Sequence, residues 1–167
     1  MNANTPVVPP GVRLEAMRSV HLDAVLRLEQ SAYAHPWARQ NFADALQHGY
    51  HAQLLLQHDD LLGYCVAMPG PDEVHVLNIA VAPDHQRQGW GRWLLNDLAQ
   101  WAQSQHAQFL WLEVRSSNQR AIHLYEQQGF GRIGLRKDYY PQHHGQREDA
   151  LVMRRALCVC QNPPHAS

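Results

Sequence analysis

Several residue types are scarce in this sequence. Only 17% of its 167 residues are charged, and a single lysine, Lys137, stands among its 14 basic residues. Soluble domains carry about 25% charged residues. The 12 histidines, together with many glutamines, must therefore supply much of the polar surface.

These shortages exclude several classes of protein. A net charge of −1 argues against the basic surface of a nucleic-acid-binding protein, so we expect no direct nucleic-acid contact. The sequence holds no apolar run of about 18 residues, so no membrane span is expected. Residues 1–11 have neither a basic nor an apolar stretch, which disfavours a signal peptide. Three cysteines without a C-x-x-C pair fit a reduced, cytoplasmic protein.

The histidines suggest a metal site, but their spacing argues against one. There is no H-E-x-x-H motif, and no histidine pair is joined to a cysteine cluster. His48 and His51 are close, but Gly49 between them disfavours a helix carrying both as ligands. We expect no metal and interpret the histidines, His35 excepted, as surface residues.

The hydrophobic pattern predicts one domain over residues 12–157, between a lead-in at 1–11 and a tail at 158–167. Strands are predicted at 12–17, 51–57, 61–68, 73–82, 109–115, 133–137 and 149–155. Helices are predicted after Ser19, before Gly49, over 92–106, and from Asn118 to Gly129. The order of elements predicts a mixed α/β (α+β) fold rather than a strict βαβ repeat.

The most informative segment is the strand-to-helix turn Gln86-x-x-Gly89-x-Gly91. The first N–H groups of a helix have no partners and carry the positive end of its dipole, and glycines let them approach a phosphate closely. Arg87 and Arg92 add positive charge. The turn differs from the Walker A motif and from the dinucleotide-binding motif, which would need a third glycine where Leu94 stands. A plain structural turn is the alternative.

Together with the strand at 79–81 before it and the segment 111–130, this turn resembles the GNAT N-acetyltransferase superfamily. The resemblance implies one GNAT-like domain, in which about four helices flank a mostly antiparallel sheet of about seven strands. It also implies acetyl-CoA as co-substrate and no metal. The implied cofactor-binding residues are Ile79, Ala80, Val81, Arg87, Gln88, Gly89, Trp90, Gly91, Arg92 and Asn118. Asn118 is equally explained as a helix cap.

Four further segments resemble the bacterial ribosomal-protein alanine N-acetyltransferases. They are HPW at 35–37, LWLEVR at 110–115, DYYP at 138–141 and GQREDA at 145–150. This resemblance implies acetylation of an N-terminal alanine, with the basic N-terminal segment of a small-subunit ribosomal protein as partner. No membrane partner is implied, and we expect a monomer or weak dimer.

Two residues are candidates for the chemistry. An α-amino group titrates near pH 8, so freeing it at neutral pH costs only about 1.4 kcal/mol, and a carboxylate can act as base, directly or through water. Glu113 stands alone in an apolar strand, and its alternative is an ion pair with Arg115. Tyr125 can donate a proton to the leaving thiolate, and its alternative is a core aromatic. The resemblance implies that Glu113 is the proton acceptor and Tyr125 the donor.

The acceptor side is predicted from two aromatic regions. Tyr33 and Trp37 lie between the first two helices, and Tyr139 and Tyr140 lie in the predicted last loop. With the acids at 148 and 149 nearby, these aromatics would suit a basic peptide. Ordinary loop packing explains the aromatic residues equally well, and pairing with an arginine at 147 explains the acids equally well.

Two other functions remain open. The same fold would serve an acetyltransferase of another amine, such as another protein N-terminus, a polyamine, an antibiotic or a metabolite. It would also serve a non-catalytic module that binds acyl-CoA. Only the first of these needs both Glu113 and Tyr125.

Overall fold

The computed structural model describes residues 8–158. Its strands are β1 (Val12–Ala16), β2 (His51–Gln57), β3 (Asp60–Gly70), β4 (Glu73–Val81), β5 (Phe109–Arg115), β6 (Gly131–Pro141) and β7 (Arg147–Ala156). Its α-helices are α1 (Leu22–Ala32), α2 (Arg39–Gln47), α3 (Trp90–Ser104) and α4 (Gln119–Gln127). The mixed α/β fold predicted from the sequence is confirmed.

The seven strands form one sheet in the order β1-β2-β3-β4-β5-β7-β6. Every neighbouring pair is antiparallel except β4 and β5, which are parallel and joined through α3. A parallel pair requires such a crossover, and here it places the first turns of α3 and α4 at the same edge of the sheet. This is the edge at which β4 and β5 end.

The parallel pair separates before its strands end. Pairing runs from Glu73 opposite Phe109 to Val76 opposite Leu112. Beyond it β4 continues to Val81 and β5 to Arg115, so the two strand ends diverge. On the β5 side, the last residues of β4 are free of a neighbouring strand, which opens a gap in the middle of the sheet.

Two groups of buried apolar side chains hold the helices on opposite faces of the sheet. On one face, α3 and α4 pack through Leu98 and Ile122 against Leu110 and neighbouring strand residues. On the other, α1 and α2 pack through Val25 and Phe42. Burying each such side chain contributes about 1.5–3 kcal/mol. The helices that border the gap are therefore fixed by core packing.

Two helix predictions are corrected by the backbone. The helix predicted at 92–106 is α3, and it begins at Trp90 because Gly89, at φ 90°, already turns the chain into it. Ser19 was expected to cap the first helix. Instead Ser19–His21 form a short 3-10 turn, in which the ring of His21 accepts the N–H of Arg18 at 2.9 Å.

The last hairpin is longer than predicted. The strand predicted at 133–137 extends over Gly131–Pro141, and its partner begins at Arg147. Tyr139 and Tyr140 therefore lie in β6 rather than in a loop. The pairing continues past an irregularity between Arg136 and Tyr140, which the alternating pattern of the sequence does not reveal.

The two predicted terminal segments lie largely outside the described residues. The lead-in at 1–11 is described only from residue 8, and the tail at 158–167 only at Cys158, so Cys160 lies outside as well. Cys65 is buried in the core, and burial raises the pKa of its thiol to about 12. Among residues 8–158, no helix has the length and apolar character needed to cross a membrane.

Candidate active site

A cavity of about 630 Å³ lies at the gap between the diverging ends of β4 and β5. Its wall combines the break between α1 and α2, the end of β4, the end of β5, the start of α4 and the end of β6. The sequence-predicted residues in this wall are Tyr33, Trp37, Ile79, Glu113, Asn118, Tyr125 and Tyr140. Residues from five distant parts of the chain thus meet at one site.

Glu113 is the carboxylate on the β5 side of the cavity. Its side chain is only 6% exposed, and its Oε2 lies 2.5 Å from the Nε2 of His75. Its Oε1 is buried, and no group within residues 8–158 forms a hydrogen bond with it; Arg136 Nη1 is 3.6 Å away. A buried polar atom without a hydrogen bond is costly, and a catalytic role is one of its recognised causes.

The alternative explanation of Glu113, an ion pair with Arg115, is wrong. Arg115 pairs instead with Glu148 at 3.3 Å and donates to the carbonyl of Pro141. The interpretation of the histidines as surface residues is also wrong for His75. This side chain is 12% exposed and its ring stacks on Trp111 at 3.6 Å.

Tyr125 belongs to α4 and lines the same cavity as Glu113. Its side chain is buried, and its ring packs against Phe130 with the ring centroids 5.7 Å apart. Burial raises the pKa of Tyr125 to about 12. The phenol therefore keeps its proton at neutral pH and is able to donate a hydrogen bond or a proton into the cavity.

Two more tyrosines bring their hydroxyls to the cavity. Tyr33, from the break after α1, donates a hydrogen bond to the carbonyl of Ile79 near the end of β4. Burial raises the pKa of Tyr33, and the nearby Tyr125 raises it further. Burial also raises the pKa of Tyr140, and the charge of Glu113 adds to that effect. The hydroxyls of Tyr33, Tyr125 and Tyr140 therefore stay protonated at neutral pH, and they line the same cavity as Glu113.

The loop that carries Trp37 is anchored by a buried carboxylate, Glu29. Glu29 Oε1 accepts the backbone N–H of Trp37 at 2.9 Å. Its Oε2 accepts the hydroxyl of Tyr64 and the amide of Asn78, the latter at 3.1 Å. The Trp37 ring packs edge-on against Phe42. The aromatic wall of the cavity is thereby tied to α1, α2, β3 and β4.

The acids predicted to attract a basic peptide are occupied within the protein. Glu148 accepts the backbone N–H of Ser117 at 2.8 Å and pairs with Arg115. Asp149 accepts the backbone N–H of Asp138 at 2.9 Å. Arg147 bonds to the carbonyls of Asp138 and Tyr139 rather than to these acids. Together these contacts shape the end of the β6–β7 hairpin.

Tyr139 is the one predicted acceptor-side residue that does not line the cavity. It is exposed and lies edge-on to Tyr140, with Arg136 5.4 Å from the centre of its ring. A second cavity of about 610 Å³ adjoins the same loops. There the rings of His35 and His143 lie 5.1 Å apart, so they join the α1–α2 break to the β6–β7 turn.

The predicted phosphate-binding turn has the geometry of an open helix start. Gly89 adopts φ 90°, in the left-handed region that favours glycine, and no side chain caps α3. A Cβ at Gly89 would meet nothing within 4 Å, so the turn faces open space. Gly91, in the first turn, lies against Leu124 of α4. The uncapped N–H groups of α3 are therefore available to an anion.

Gln86 and Asn118 hold this region together. The Gln86 amide donates to the carbonyl of Val81 at 3.0 Å and accepts from Arg120 of α4 at 3.0 Å. Asn118 caps α4, because its Oδ1 accepts the N–H of Ala121 at 3.2 Å, and it also lines the cavity. The cap predicted for Asn118 is thus present.

The remaining cofactor candidates lie outside the cavity wall. Ala80, Val81 and residues 87–92 do not line it, although they connect the end of β4 to the start of α3 at the same edge of the sheet. Within the part of the chain that the structure describes, no group of three or more His, Cys, Asp or Glu side chains is arranged to hold a metal.

Sequence reasoning missed Glu29 and His75, although each had a weak signal. Glu29 stands seven residues after Leu22 and four after Val25, on the buried stripe of α1. His75 stands between Val74 and Val76 in a strand. A polar residue within an apolar pattern indicates a buried polar contact, but it does not identify the partner.

Comparison with known proteins places the chain among acetyltransferases. The model of the acetyltransferase (GNAT) family matches residues 22–130. The chain is 39% identical over 140 residues to the ribosomal protein bS18 alanine N-acetyltransferase of Escherichia coli (strain K12), covering 84% of this chain and 94% of that protein. Its identity to the Haemophilus influenzae protein of the same name is 33% over 140 residues, covering 84% and 95%.

A solved structure gives the same result. The crystal structure of the ribosomal-protein-S18-alanine N-acetyltransferase from Escherichia coli superposes with a TM-score of 0.82 at 35% identity. The superposition covers 93% of this chain and 99% of that one. The likeness therefore extends over nearly the whole domain.

Proposed function

The chain belongs to the acetyltransferase (GNAT) family and is an acyltransferase, and we propose that it acetylates the N-terminal alanine of a small-subunit ribosomal protein with acetyl-CoA. Relatives that it covers almost completely are named for this activity on protein bS18. The observation that carries the proposal is a cavity lined by both Glu113 and Tyr125, in which Glu113 Oε1 has no hydrogen-bond partner among the described residues.

The residues present fit acetyl-CoA. Its pyrophosphate would bind the uncapped first turn of α3, with Arg87 and Arg92 adding positive charge. The open space at Gly89 supports this assignment, because a backbone-lined turn must let phosphate oxygens approach closely. The edge of β4 from Ile79 to Val81 has no strand beside it on the β5 side, which leaves room for the pantetheine arm. The carbonyls of Ile79 and Val81 accept side-chain hydrogen bonds from Tyr33 and Gln86, so the arm would pair with backbone N–H groups or displace these side chains.

Glu113 is assigned as the base. When bound, acetyl-CoA supplies a thioester carbonyl that only a neutral amine can attack. Glu113 takes the proton of the acceptor ammonium at Oε1, the oxygen that accepts no hydrogen bond from the described residues and has Arg136 Nη1 3.6 Å away, directly or through one water. The cost of supplying a neutral acceptor is modest, because an N-terminal amine needs only about 1.4 kcal/mol to be neutral at pH 7.

Tyr125 is assigned as the acid. Its buried phenol stays protonated and can donate to the sulfur as the thiolate leaves. A thiol, with a pKa of about 8.5, is more acidic than this phenol, so Tyr125 stabilises the departing thiolate chiefly by its hydrogen bond. As the amide forms, the acceptor nitrogen loses a second proton, and the thiolate takes up this proton through water. The hydroxyl remains in place for the next cycle.

The acceptor would enter between the α1–α2 break and the end of β6. Trp37 and Tyr33 form one side of the cavity, and Tyr140 forms the other. Among the lining residues, the carboxylates of Glu29 and Glu113 outnumber the one guanidinium, that of Arg115, and this balance suits an ammonium group.

The test is acetyl transfer to defined amines. A peptide with the first residues of protein bS18, beginning with alanine, is incubated with the enzyme and acetyl-CoA, and N-terminal acetylation is read by mass spectrometry. The matched control is the same peptide with its α-amine already blocked, so that only lysines remain. We expect acetylation of the free N-terminus alone.

A panel of polyamines, aminoglycosides and other N-termini completes the test. If one of these is acetylated with a kcat/KM well above that of the alanine peptide, the ribosomal acceptor is wrong and the transferase assignment stands. If acetyl-CoA binds and no amine is acetylated, the chain acts as a binding module and the proposal fails.

A further inference from the structure

The proposed base has a partner that the proposed chemistry does not use. His75 of β4 and Glu113 of β5 meet with Nε2 and Oε2 2.5 Å apart, although 38 residues separate them. Their side chains are 12% and 6% exposed. An ionised carboxylate can only accept a hydrogen bond, so this contact requires the proton on Nε2 of His75.

The imidazole is itself held in one orientation. His75 lies directly opposite Trp111 in the parallel pair, and their rings stack at 3.6 Å with 7° between the planes. The guanidinium of Arg136 lies 5.9 Å from the centre of the Trp111 ring, and its Nη1 lies 3.6 Å from Glu113 Oε1. The ring plane of His75 is therefore set by packing, and with it the direction in which Nε2–H points.

This arrangement distinguishes the two oxygens of Glu113. Oε2 is engaged by His75, whereas Oε1 accepts no hydrogen bond in the described chain and has only the longer contact of Arg136 Nη1, at 3.6 Å. A carboxylate held at one oxygen by a rigid donor cannot rotate freely about its terminal torsion. Its other oxygen then has a fixed direction, and a base aligned with its substrate reacts faster than one that must find the geometry.

We propose that His75 is a positioning residue that fixes Glu113, so that Oε1 is the proton acceptor for the incoming amine. This inference rests on the proposed function, because it assigns a role only if Glu113 is the base. His75 does not touch the substrate. It acts through its hydrogen bond to Oε2 and through its stacking on Trp111.

The experiment compares two variants of His75 in the full chain. His75→Leu keeps an apolar side chain against Trp111 and removes the donor. His75→Gln places an amide N–H near the position of Nε2 and can restore the hydrogen bond. Thermal unfolding of both variants is measured first. Steady-state kinetics with acetyl-CoA and the alanine peptide then give kcat and both KM values.

A second histidine provides a matched control. His51 stacks on Trp101 at 3.7 Å and 11°, nearly the same geometry, but its Nε2 has no hydrogen-bond partner in the described residues. His51→Leu therefore removes a similar stacking interaction without touching a carboxylate. The change in kcat of His51→Leu therefore measures the effect of losing a stacked histidine without losing a hydrogen bond to a carboxylate.

We expect His75→Leu to lower kcat about 10- to 100-fold while the KM for acetyl-CoA changes less than about threefold. His75→Gln should recover most of kcat, and His51→Leu should leave it unchanged. In a Glu113→Gln background, His75→Leu should have almost no further effect, because residues that act as a unit are not additive.

Other outcomes overturn the inference. If His75→Leu retains full kcat while Glu113→Gln is inactive, the hydrogen bond between His75 and Glu113 has only a structural role. If His75→Gln is as inactive as His75→Leu at unchanged stability, positioning through a hydrogen bond is wrong and the imidazole itself carries the proton. If the wild-type protein acetylates no amine, the proposed function is wrong and the role of His75 fails with it. This result comes from the wild type alone, so it is distinguishable from a failure seen only in the His75 variants.

Discussion

Glu29 and Trp37 are joined across the break between α1 and α2, where the backbone N–H of Trp37 donates to Glu29 Oε1 at 2.9 Å. The carboxylate belongs to the buried core, while the tryptophan belongs to the cavity wall. A loop that would otherwise be exposed and mobile is therefore fixed to the same framework that carries Ile79 and Glu113. The cavity depends on this link for its shape.

Replacing this carboxylate should disturb both stability and the acceptor side. In Glu29→Gln, the amide nitrogen cannot accept one of the hydrogen bonds now donated by Trp37, Tyr64 and Asn78. An unsatisfied buried group costs about 1–3 kcal/mol, and each kcal/mol lowers Tm by about 2–4 °C in a domain of this size.

Calorimetry and steady-state kinetics check this prediction. The KM for the alanine peptide should rise more than the KM for acetyl-CoA, because we propose that this loop forms the acceptor side. Glu15→Gln, at a half-exposed glutamate of β1, serves as control and should change neither Tm nor kinetics appreciably. An unchanged Tm in Glu29→Gln would contradict the anchoring role.

Glu113→Gln should lower kcat about 100-fold or more at neutral pH, since general bases contribute about 10²–10⁴-fold. The amide keeps the shape of the side chain but cannot take a proton. Binding of acetyl-CoA, measured by calorimetric titration, should remain within about threefold of wild type.

The control for this variant is Glu126→Gln on the exposed side of α4, where the carboxylate pairs with Arg132 at 2.8 Å. It removes the same charge at a distance from the cavity and should leave kcat unchanged. Full turnover by Glu113→Gln would require another base.

Tyr125→Phe should retain the packing against Phe130 and lose the proton donor. We expect kcat to fall about 10- to 100-fold and both KM values to change little. Because burial raises the pKa of Tyr125 to about 12, the phenol stays protonated up to about pH 10, and its ionisation should not produce an alkaline loss of activity there.

Kinetics over pH 6–10 test this assignment. The plot of kcat against pH for the variant should have the same shape as that of the wild type, with a lower plateau. Tyr50→Phe, at a tyrosine stacked on His48 away from the cavity, is the control. Wild-type kcat in Tyr125→Phe would contradict the assignment of the acid.

Gly89→Ala should weaken cofactor binding. The backbone there has φ 90°, a conformation that a residue with a Cβ adopts with strain of about 1 kcal/mol. Relief of that strain would displace the first N–H groups of α3. We expect the KM for acetyl-CoA to rise about 5- to 10-fold, with the KM for the peptide unchanged.

Gly49→Ala is a closely matched control for this change. Gly49 follows α2 at φ 71°, and a Cβ there would also meet nothing within 4 Å. Both variants should therefore lose similar stability, and only Gly89→Ala should affect acetyl-CoA. Equal effects on its KM would show that the α3 turn does not hold the pyrophosphate.

The lowered pKa of Glu148 predicts that the stability of the fold depends on pH. Burial pushes the pKa of this carboxyl up, but hydrogen bonds from Ser117 and Arg115 outweigh it and hold the pKa below its usual 4.5. A depressed pKa means that the ionised form stabilises the fold above about pH 4.5, and that this stability is lost as the pH falls further.

Thermal unfolding of Glu148→Gln and wild type from pH 7 down to pH 3 measures this effect. The variant should have the lower Tm at pH 7, and the difference should shrink below about pH 4.5. Asp149 is a less suitable comparison, because it also binds a backbone N–H. Asp84→Asn, in the exposed turn after β4, should show no such trend. A Tm difference that is constant with pH would contradict the prediction.

Much of the fold and part of the site can be predicted from local sequence. The spacing of apolar residues predicts a strand over Phe109–Arg115 and a helix after Asn118, because strand and helix periods are set by the backbone itself. The glycine turn at 86–91 is equally local, since a positive φ and a helix start need only neighbouring residues. The family resemblance rests on such segments.

Tertiary structure alone decided what surrounds the proposed base, Glu113. The partner of Glu113 is His75, 38 residues away, rather than Arg115 two residues along the same strand. That choice depends on the register of β4 against β5, which long-range packing fixes. The gap that forms the cavity arises where that pairing stops. The sequence thus determines which chemistry is available, and the sheet register determines which groups meet to carry it out.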